Sequence, residues 1–116
     1  MERPPCTLSY ATARDEENVV IGYVCVKNLA YEKRVVIRFS LNNWGTYSDL
    51  AANWKESIGG TTEHPESDKF RFVIPLPSPN WSGIVEFAVR YEVAGWTFWD
   101  NNRQRNYRVI VDRNEG

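Results

Sequence analysis

The sequence predicts an all-β fold, an antiparallel immunoglobulin-like β-sandwich of about seven or eight strands. Apolar and polar residues alternate with a period of two along several segments, which is typical of strands with one face on a core and one in solvent. Clusters of Gly, Pro and Asn separate these segments. The 116 residues are enough for one hydrophobic core, so we expect one domain over residues 1–116.

The predicted strands follow one another through short connections. A first strand is expected at residues 7–11, and the continuously apolar residues 19–26 indicate a central strand. Alternation predicts further strands at residues 34–41, 69–76, 84–93 and 107–111. Ala94-Gly95 has the length and composition of a tight hairpin turn. Residues 49–58 form the one weakly helical stretch, expected to give a turn or two of helix.

Charge and composition exclude several classes of partner. The formal net charge of −1 gives nucleic acid no electrostatic footprint. No apolar run reaches the roughly 18 residues of a membrane span, so we expect no membrane partner. If Met1 is native, the lack of an apolar leader predicts a cytoplasmic protein. Cys6 and Cys25 are expected to be reduced thiols, the alternative being one bridge between neighbouring strands.

Catalysis finds little support in the residues. The chain has one histidine, His64, and it lies in a loop beside a proline. No nucleophile-elbow motif, zinc-binding spacing or glycine-rich phosphate loop occurs. We therefore expect a protein that is not an enzyme, with no catalytic residues, no metal and no cofactor. A small glycosidase is kept as a distant alternative.

Aromatic content is the unusual feature of the composition. Trp, Tyr and Phe make 14% of the chain, and five of these residues are Trp. A core this small cannot bury five indoles, so some rings are expected at the surface.

These aromatics occur beside amides in two segments, residues 27–33 and 96–107. The apolar C–H faces of sugars lie flat on aromatic rings, while an Asn amide both donates to and accepts from hydroxyl groups. The combination therefore favours a neutral polyol ligand, although loop asparagines often only cap turns.

The residues that carry these patterns resemble the family 21 carbohydrate-binding modules. The resemblance rests on Lys27-Asn28-Leu29-Ala30-Tyr31, on Trp44, and on the run from Phe98-Trp99-Asp100-Asn101-Asn102 to Asn106-Tyr107. It covers roughly residues 19–111. It implies a non-catalytic antiparallel sandwich that binds α-glucan such as glycogen or starch, including amylose and cyclodextrin-like oligosaccharides.

The resemblance also implies which residues contact the sugar. Trp44 and Trp99 match the stacking aromatics of one site, and Tyr31 matches an aromatic of a second site. The polar partners assigned to the second site are Asn28, Lys33, Asn101 and Asn106. Trp54, Asp100 and Asn102 are further candidates.

Two branches of the family are candidates. Ala88 falls where the glucoamylase branch has a further ring, and Glu32-Lys33-Arg34-Val35 is more similar to the glycogen-targeting regulatory subunits of protein phosphatase 1. That branch implies phosphatase binding through segments outside these residues, and contact with glycogen synthase near residues 99–107. The alternatives are a glucoamylase starch-binding domain, or a sandwich that binds a protein through its aromatics and no sugar.

Overall fold

The computed structural model describes residues 4–113, and these form two antiparallel sheets packed face to face. Nine strands are present in that range: β1 (Cys6–Arg14), β2 (Val19–Lys27), β3 (Lys33–Ser40), β4 (Ser48–Ala51), β5 (Asn53–Ile58), β6 (Ser67–Pro75), β7 (Gly83–Val93), β8 (Trp96–Asp100) and β9 (Tyr107–Val111). The predicted β-sandwich is confirmed, with nine strands in place of seven or eight. No helix in this range is long and apolar enough to span a membrane.

The two sheets have four and five strands. The strand order is β1-β2-β6-β5 in the first sheet and β4-β3-β7-β8 in the second. β8 pairs with residues 89–93 of β7 and β9 pairs with residues 83–87, so β8 and β9 lie one after the other along the same edge of β7. β2 lies inside its sheet, as its continuously apolar sequence predicts.

The prediction of weak helix at residues 49–58 is wrong. This stretch contains β4, which pairs with β3, and β5, which pairs with β6. Both are edge strands, and every residue of β5 is exposed. An exposed edge strand has no buried face to impose alternation, so hydrogen bonding to the neighbouring strand decides the structure instead. These two strands account for the higher strand count.

The core lies where the inward rows of both sheets meet. Phe72 and Phe87 contact each other across the layers at a centroid distance of 5.3 Å. Gly22 on β2 is required there, because a Cβ atom at this position would lie 2.1 Å from the Phe72 ring. Buried Tyr91 donates its hydroxyl to the carbonyl of Lys27 at 2.6 Å, and burial raises the pKa of this phenol to about 12.

Two local predictions are confirmed. Ala94 and Gly95 have φ angles of 51° and 80°, which is the left-handed pair that a tight hairpin requires. Both cysteines are free. Cys6 and Cys25 lie opposite Val26 and Thr7, at neighbouring positions of the β1–β2 ladder, so their side chains point to opposite faces of the sheet.

Candidate functional site

A groove of about 880 Å³ opens at one end of the sandwich, between the β2–β3 connection and β5, and we call it the end groove. Tyr31 and Trp54 line it with 96% and 59% of their surfaces exposed. Asn28 and Lys33 line the same groove. Four of the sequence-predicted residues therefore meet in one place, and two of them are rings open to solvent.

Asp68 of β6 organises the polar side of the end groove. Its carboxylate accepts hydrogen bonds from the Trp54 indole Nε1 at 3.0 Å and from Ser57 Oγ at 3.1 Å. The Lys33 ammonium lies 3.0 Å from the other carboxylate oxygen, and the two side chains are only 9% and 5% exposed. Burial raises the pKa of this carboxyl, but the three donors outweigh burial and hold the pKa below its ordinary value.

This network fixes what each group can do. The Lys33 ammonium is committed to Asp68 and buried, so it stabilises the groove wall more than it offers a free donor. The Trp54 ring is oriented through its N–H, which leaves its faces for an apolar surface. A preformed ring orientation lowers the entropy cost of binding a ligand.

Asn28 ties the Tyr31 loop to the opposite wall. Its side-chain nitrogen donates to the carbonyl of Pro65 at 2.9 Å, and its backbone N–H donates to the carbonyl of Glu66 at 3.0 Å. The amide thus holds the β2–β3 connection against the β5–β6 connection. Tyr31 is carried on a loop anchored at its base while its own side chain extends into solvent.

The second set of rings, Trp44 and Trp99, lies on the outer face of the five-stranded sheet. We call these two rings, together with Ala88 between them, the sheet-face site. Trp99 of β8 is 45% exposed and lies beside Arg90 in the β7–β8 ladder. The guanidinium carbons of Arg38 and Arg90 lie 5.4 and 5.5 Å from its ring centroid. Two flanking cations therefore hold the indole on the sheet.

Those arginines are themselves paired. Arg38 Nε lies 2.9 Å from a carboxylate oxygen of Asp49, and Arg90 lies 3.6 Å from the other. The hydrogen bond from Arg38 holds the pKa of Asp49 below its ordinary value, although partial burial opposes it. The charges around Trp99 are neutralised locally, so this face does not select an ionic ligand.

Trp44 lies on the same face, past the end of β3. Its backbone N–H donates to Ser40 Oγ at 2.8 Å, and its φ angle of 66° places it in the left-handed region. It lines a hollow of about 740 Å³ together with Glu86 of β7 and Arg108 of β9. Glu86 and Arg90 lie four residues apart on this face, about 13 Å, with Ala88 between them, so the small side chain separates the two indoles.

The asparagine-rich loop between β8 and β9 folds around Asp100. One carboxylate oxygen accepts from the Leu8 N–H at 2.9 Å and from the Tyr107 hydroxyl at 2.5 Å. The other accepts from the Asn102 N–H at 3.3 Å. Burial and Asp100 together raise the pKa of Tyr107. Asp100 is thus occupied by structural hydrogen bonds.

The amides of this loop serve two purposes. Asn101 accepts from the Gln104 N–H at 3.0 Å, and Asn102 donates to the carbonyl of Asn106 at 3.2 Å. Asn102, Gln104 and Asn106 have left-handed φ angles of 54°, 71° and 59°, a conformation that Asn tolerates better than most residues. Asn102 and Asn106 also line the hollow beside Trp44. Turn geometry explains part of the asparagine content of this loop, and the two asparagines at the hollow are also placed where a ligand could contact them.

The grouping of Asn106 with Tyr31 is not what the structure shows, and Asn101 lines neither the end groove nor the hollow beside Trp44. Tyr31 precedes Lys33 at the start of β3, whereas Asn106 precedes Tyr107, which aligns through Phe87 with Phe39 near the other end. The six residue steps from Lys33 to Phe39 separate them by about 20 Å. Asn106 lies instead with Trp44.

Asp68 is the functional residue that sequence reasoning missed. A signal was present, because the alternation of β6 places Asp68 on the same inward row as Phe70 and Phe72. A carboxylate in a core-facing row needs partners. Its partners come from β3 and β5, and no local pattern shows that those strands meet it.

The family model described as the carbohydrate/starch-binding module (family 21) matches residues 1–110. The chain belongs to carbohydrate-binding module family 21. The module carries exposed aromatic rings on two surfaces, Tyr31 and Trp54 at the end groove and Trp99 at the sheet-face site.

Similar curated proteins are regulatory subunits. The module is 41% identical over 97 residues to protein phosphatase 1 regulatory subunit 3C of Bos taurus, covering 82% of this chain and 29% of that protein. It is 40% identical over 97 residues to regulatory subunit 3B of Homo sapiens, covering 82% and 33%. The chain thus spans about a third of the length of these relatives.

Solved structures share the fold. The carbohydrate-binding module of the muscle glycogen-targeting subunit of protein phosphatase 1 aligns with a TM-score of 0.75 and 32% identity, over 97% of this chain and 79% of that one. The starch-binding domain of Rhizopus oryzae glucoamylase, solved with β-cyclodextrin and maltoheptaose, aligns with a TM-score of 0.68 and 28% identity over 96% and 97%. The module resembles the phosphatase branch more closely.

Proposed function

We propose that this module binds α-glucan chains without hydrolysing them, and that it holds an attached protein on glycogen. The observation that carries the proposal is the pair of exposed rings in the end groove, Tyr31 and Trp54, beside a preorganised polar wall. Flat apolar surfaces next to neutral hydrogen-bonding groups are complementary to the faces and rims of glucose rings.

The sheet-face site supports a second point of attachment. Trp44 and Trp99 lie on one face with locally paired charges, and the amides of Asn102 and Asn106 lie beside Trp44. Each site is shallow, so we expect modest affinity per site. Two modest sites on one polymer raise the apparent affinity through local concentration.

The regulatory role is part of the same proposal. The relatives named above are regulatory subunits of protein phosphatase 1, and they are about three times as long as the region they share with this chain. We therefore propose that a phosphatase-binding segment lies outside this module and that the module supplies targeting only. Among the described residues no group of three or more metal-ligating side chains is arranged to hold a metal.

Co-sedimentation with glycogen tests the proposal. Wild type is expected to pellet, Tyr31→Ala and Trp99→Ala each to pellet less, and the double variant to remain in the supernatant. Tyr10→Ala is the matched control, because Tyr10 is 53% exposed on β1, at the opposite edge of its sheet from β5, and lines neither site. Circular dichroism checks that each variant is folded.

Two further measurements separate the alternatives. A soluble cyclic α-glucan is expected to release wild type from glycogen, and release of reducing sugar is expected to be nil. If wild type never pellets while remaining folded, the sugar-binding proposal is wrong and the exposed rings serve a protein partner.

A further inference from the structure

Trp96 is an exposed ring that the two sites described above do not use. It is 67% exposed and opens β8 directly after the Ala94-Gly95 turn. Its ring lies 6.5 Å from that of Phe98 with an interplanar angle of 18°, and Phe98 packs against the core. One side of the indole is thus supported from within the sandwich while most of its surface faces solvent.

The strand register places Trp96 at the same end of the molecule as the end groove. Lys33 pairs with Val93 across β3 and β7, and Val93 pairs with Trp96 across β7 and β8. The three residues form one row across the sheet, so their side chains point to the same face. Two strand spacings put Trp96 about 10 Å from Lys33, which is two residues from Tyr31.

A second groove connects Trp96 to the Tyr31 loop. Its volume is about 750 Å³, and it is lined by Trp96 and Thr97 on one side and by the β2–β3 connection on the other. Ala30, Glu32 and Lys33 line both this groove and the end groove. The two grooves therefore meet at the loop that carries Tyr31.

The polar lining of the second groove suits a neutral ligand. Glu32 and Glu92 offer carboxylate acceptors, and Arg34 offers guanidinium donors. One Glu92 carboxylate oxygen accepts from Arg90 Nε at 2.8 Å, Arg34 lies opposite Glu92 in the β3–β7 ladder, and the Lys33 ammonium is paired with Asp68. Charges of both signs are interspersed, so the groove favours neither an anion nor a cation, whereas hydroxyl groups can pair with both kinds of side chain.

We propose that Trp96 is a third stacking position of the end groove, so that one α-glucan chain runs from Trp54 past Tyr31 to Trp96. The inference rests on the proposed glucan binding and adds to it a preference for long chains. A short oligosaccharide fills the groove between Trp54 and Tyr31, and only a longer chain reaches Trp96. Trp96 thus makes the affinity depend on the length of the glucan chain and not on the identity of the sugar.

Calorimetric titration with linear α-1,4 glucans of two lengths tests this. All variants carry Trp99→Ala, so that the sheet-face site does not contribute. The probes are maltotriose and a linear maltodextrin of ten glucose units. In this background the longer glucan is expected to bind more tightly, and Trp96→Ala is expected to weaken it by about tenfold, as for loss of a well-packed interface aromatic, while leaving maltotriose unchanged.

Two more substitutions separate stacking from structure. Trp96→Phe keeps a flat ring and is expected to retain most of the length preference, whereas Trp96→Leu keeps an apolar side chain and is expected to lose it. Tyr10→Ala is the control for loss of an exposed ring elsewhere. Thermal unfolding by circular dichroism confirms that the Trp96 variants retain the hairpin fold.

The outcomes are distinct. Loss of the length preference in Trp96→Ala and Trp96→Leu, with maltotriose binding intact, supports the third stacking position. An unchanged preference in Trp96→Ala overturns it and leaves glucan binding standing. Equal weakening of both glucans also overturns it, since Trp96 then acts by supporting the loop. If neither glucan binds the Trp99→Ala background, the end groove is not a sugar site and the inference falls with it.

Discussion

Removing the Asp68 carboxylate is expected to destabilise the module strongly. In Asp68→Ala the Lys33 ammonium, 9% exposed, loses the carboxylate 3.0 Å away. Breaking a buried ion pair by deleting one partner costs about 3–5 kcal/mol, because the remaining charge stays desolvated. The Trp54 indole N–H also loses its acceptor, but Trp54 is 59% exposed and water can replace that bond.

The assay is equilibrium unfolding in urea, with the free energy of unfolding extrapolated to water. The matched control is Asp49→Ala, which also removes an aspartate from an ion pair. The Asp49 side chain is 34% exposed, its partner Arg38 is 30% exposed, and its second partner Arg90 keeps Glu92, so its loss should cost about 1 kcal/mol or less. The gap between the two variants isolates the effect of burial.

A double variant tests the reason given for the loss. Lys33→Met combined with Asp68→Ala removes both charges, so no uncompensated ammonium remains. The double variant should be more stable than the sum of the two single changes predicts, by at least about 1 kcal/mol. The reasoning is refuted if Asp68→Ala costs no more than Asp49→Ala, or if the two single effects simply add.

Three further predictions concern acid, thiols and the core. The pKa of Asp68 is lowered in the folded protein, so the stabilisation from its charge is complete above the unfolded pKa of about 4 and is lost as pH falls through the lower folded pKa. In urea titrations, the difference in unfolding free energy between wild type and Asp68→Asn should therefore be constant above about pH 5 and should shrink to zero at lower pH. Burial, with a smaller contribution from Asp100, raises the pKa of Cys6 to about 12, so a thiol reagent at pH 8 should modify Cys25 alone in the folded protein and both cysteines in urea; two reactive native thiols would contradict this. Gly22→Ala should destabilise by about 1–3 kcal/mol, since its Cβ would overlap the Phe72 ring, and a neutral effect on the melting temperature would disprove the close contact.

The sequence predicts the sandwich because alternation in the central strands is set by burial on one face. β6 illustrates this, with Phe70, Phe72 and Ile74 buried and the residues between them partly exposed. The same logic fails at the edges, where β5 is exposed throughout, β4 places only Leu50 against the core, and the sequence pattern suggests weak helix. Strand existence is therefore readable where the core imposes it and unreadable where only a neighbouring strand does.

The residues of the candidate site also fall into a group that the sequence predicts and a group that it does not. Exposed rings can be anticipated, because the number of indoles exceeds what the core can hold. The polar groups that lie beside these rings cannot be anticipated, since the strand order brings them together. Lys33 meets Asp68 across the two sheets, and Asn106 meets Trp44 at the far end of β3 from Tyr31. The family resemblance names residues but does not state which of them share a surface.

The separation of the end groove from the sheet-face site has a consequence for motion on a polymer. Trp44 lies past the end of β3, at least about 20 Å along that strand from Lys33 in the end groove, whereas Trp99 lies level with Val36 on the outer face. With both surfaces filled, each would hold a different chain segment. Release of one segment leaves the other in place, and the freed surface then recaptures a neighbouring branch before the protein diffuses away. Under the proposed function, an attached protein would in this way move across a glycogen particle while exchanging slowly with solution. The density of branches, more than the affinity of either site, would set the residence time of the protein on the particle.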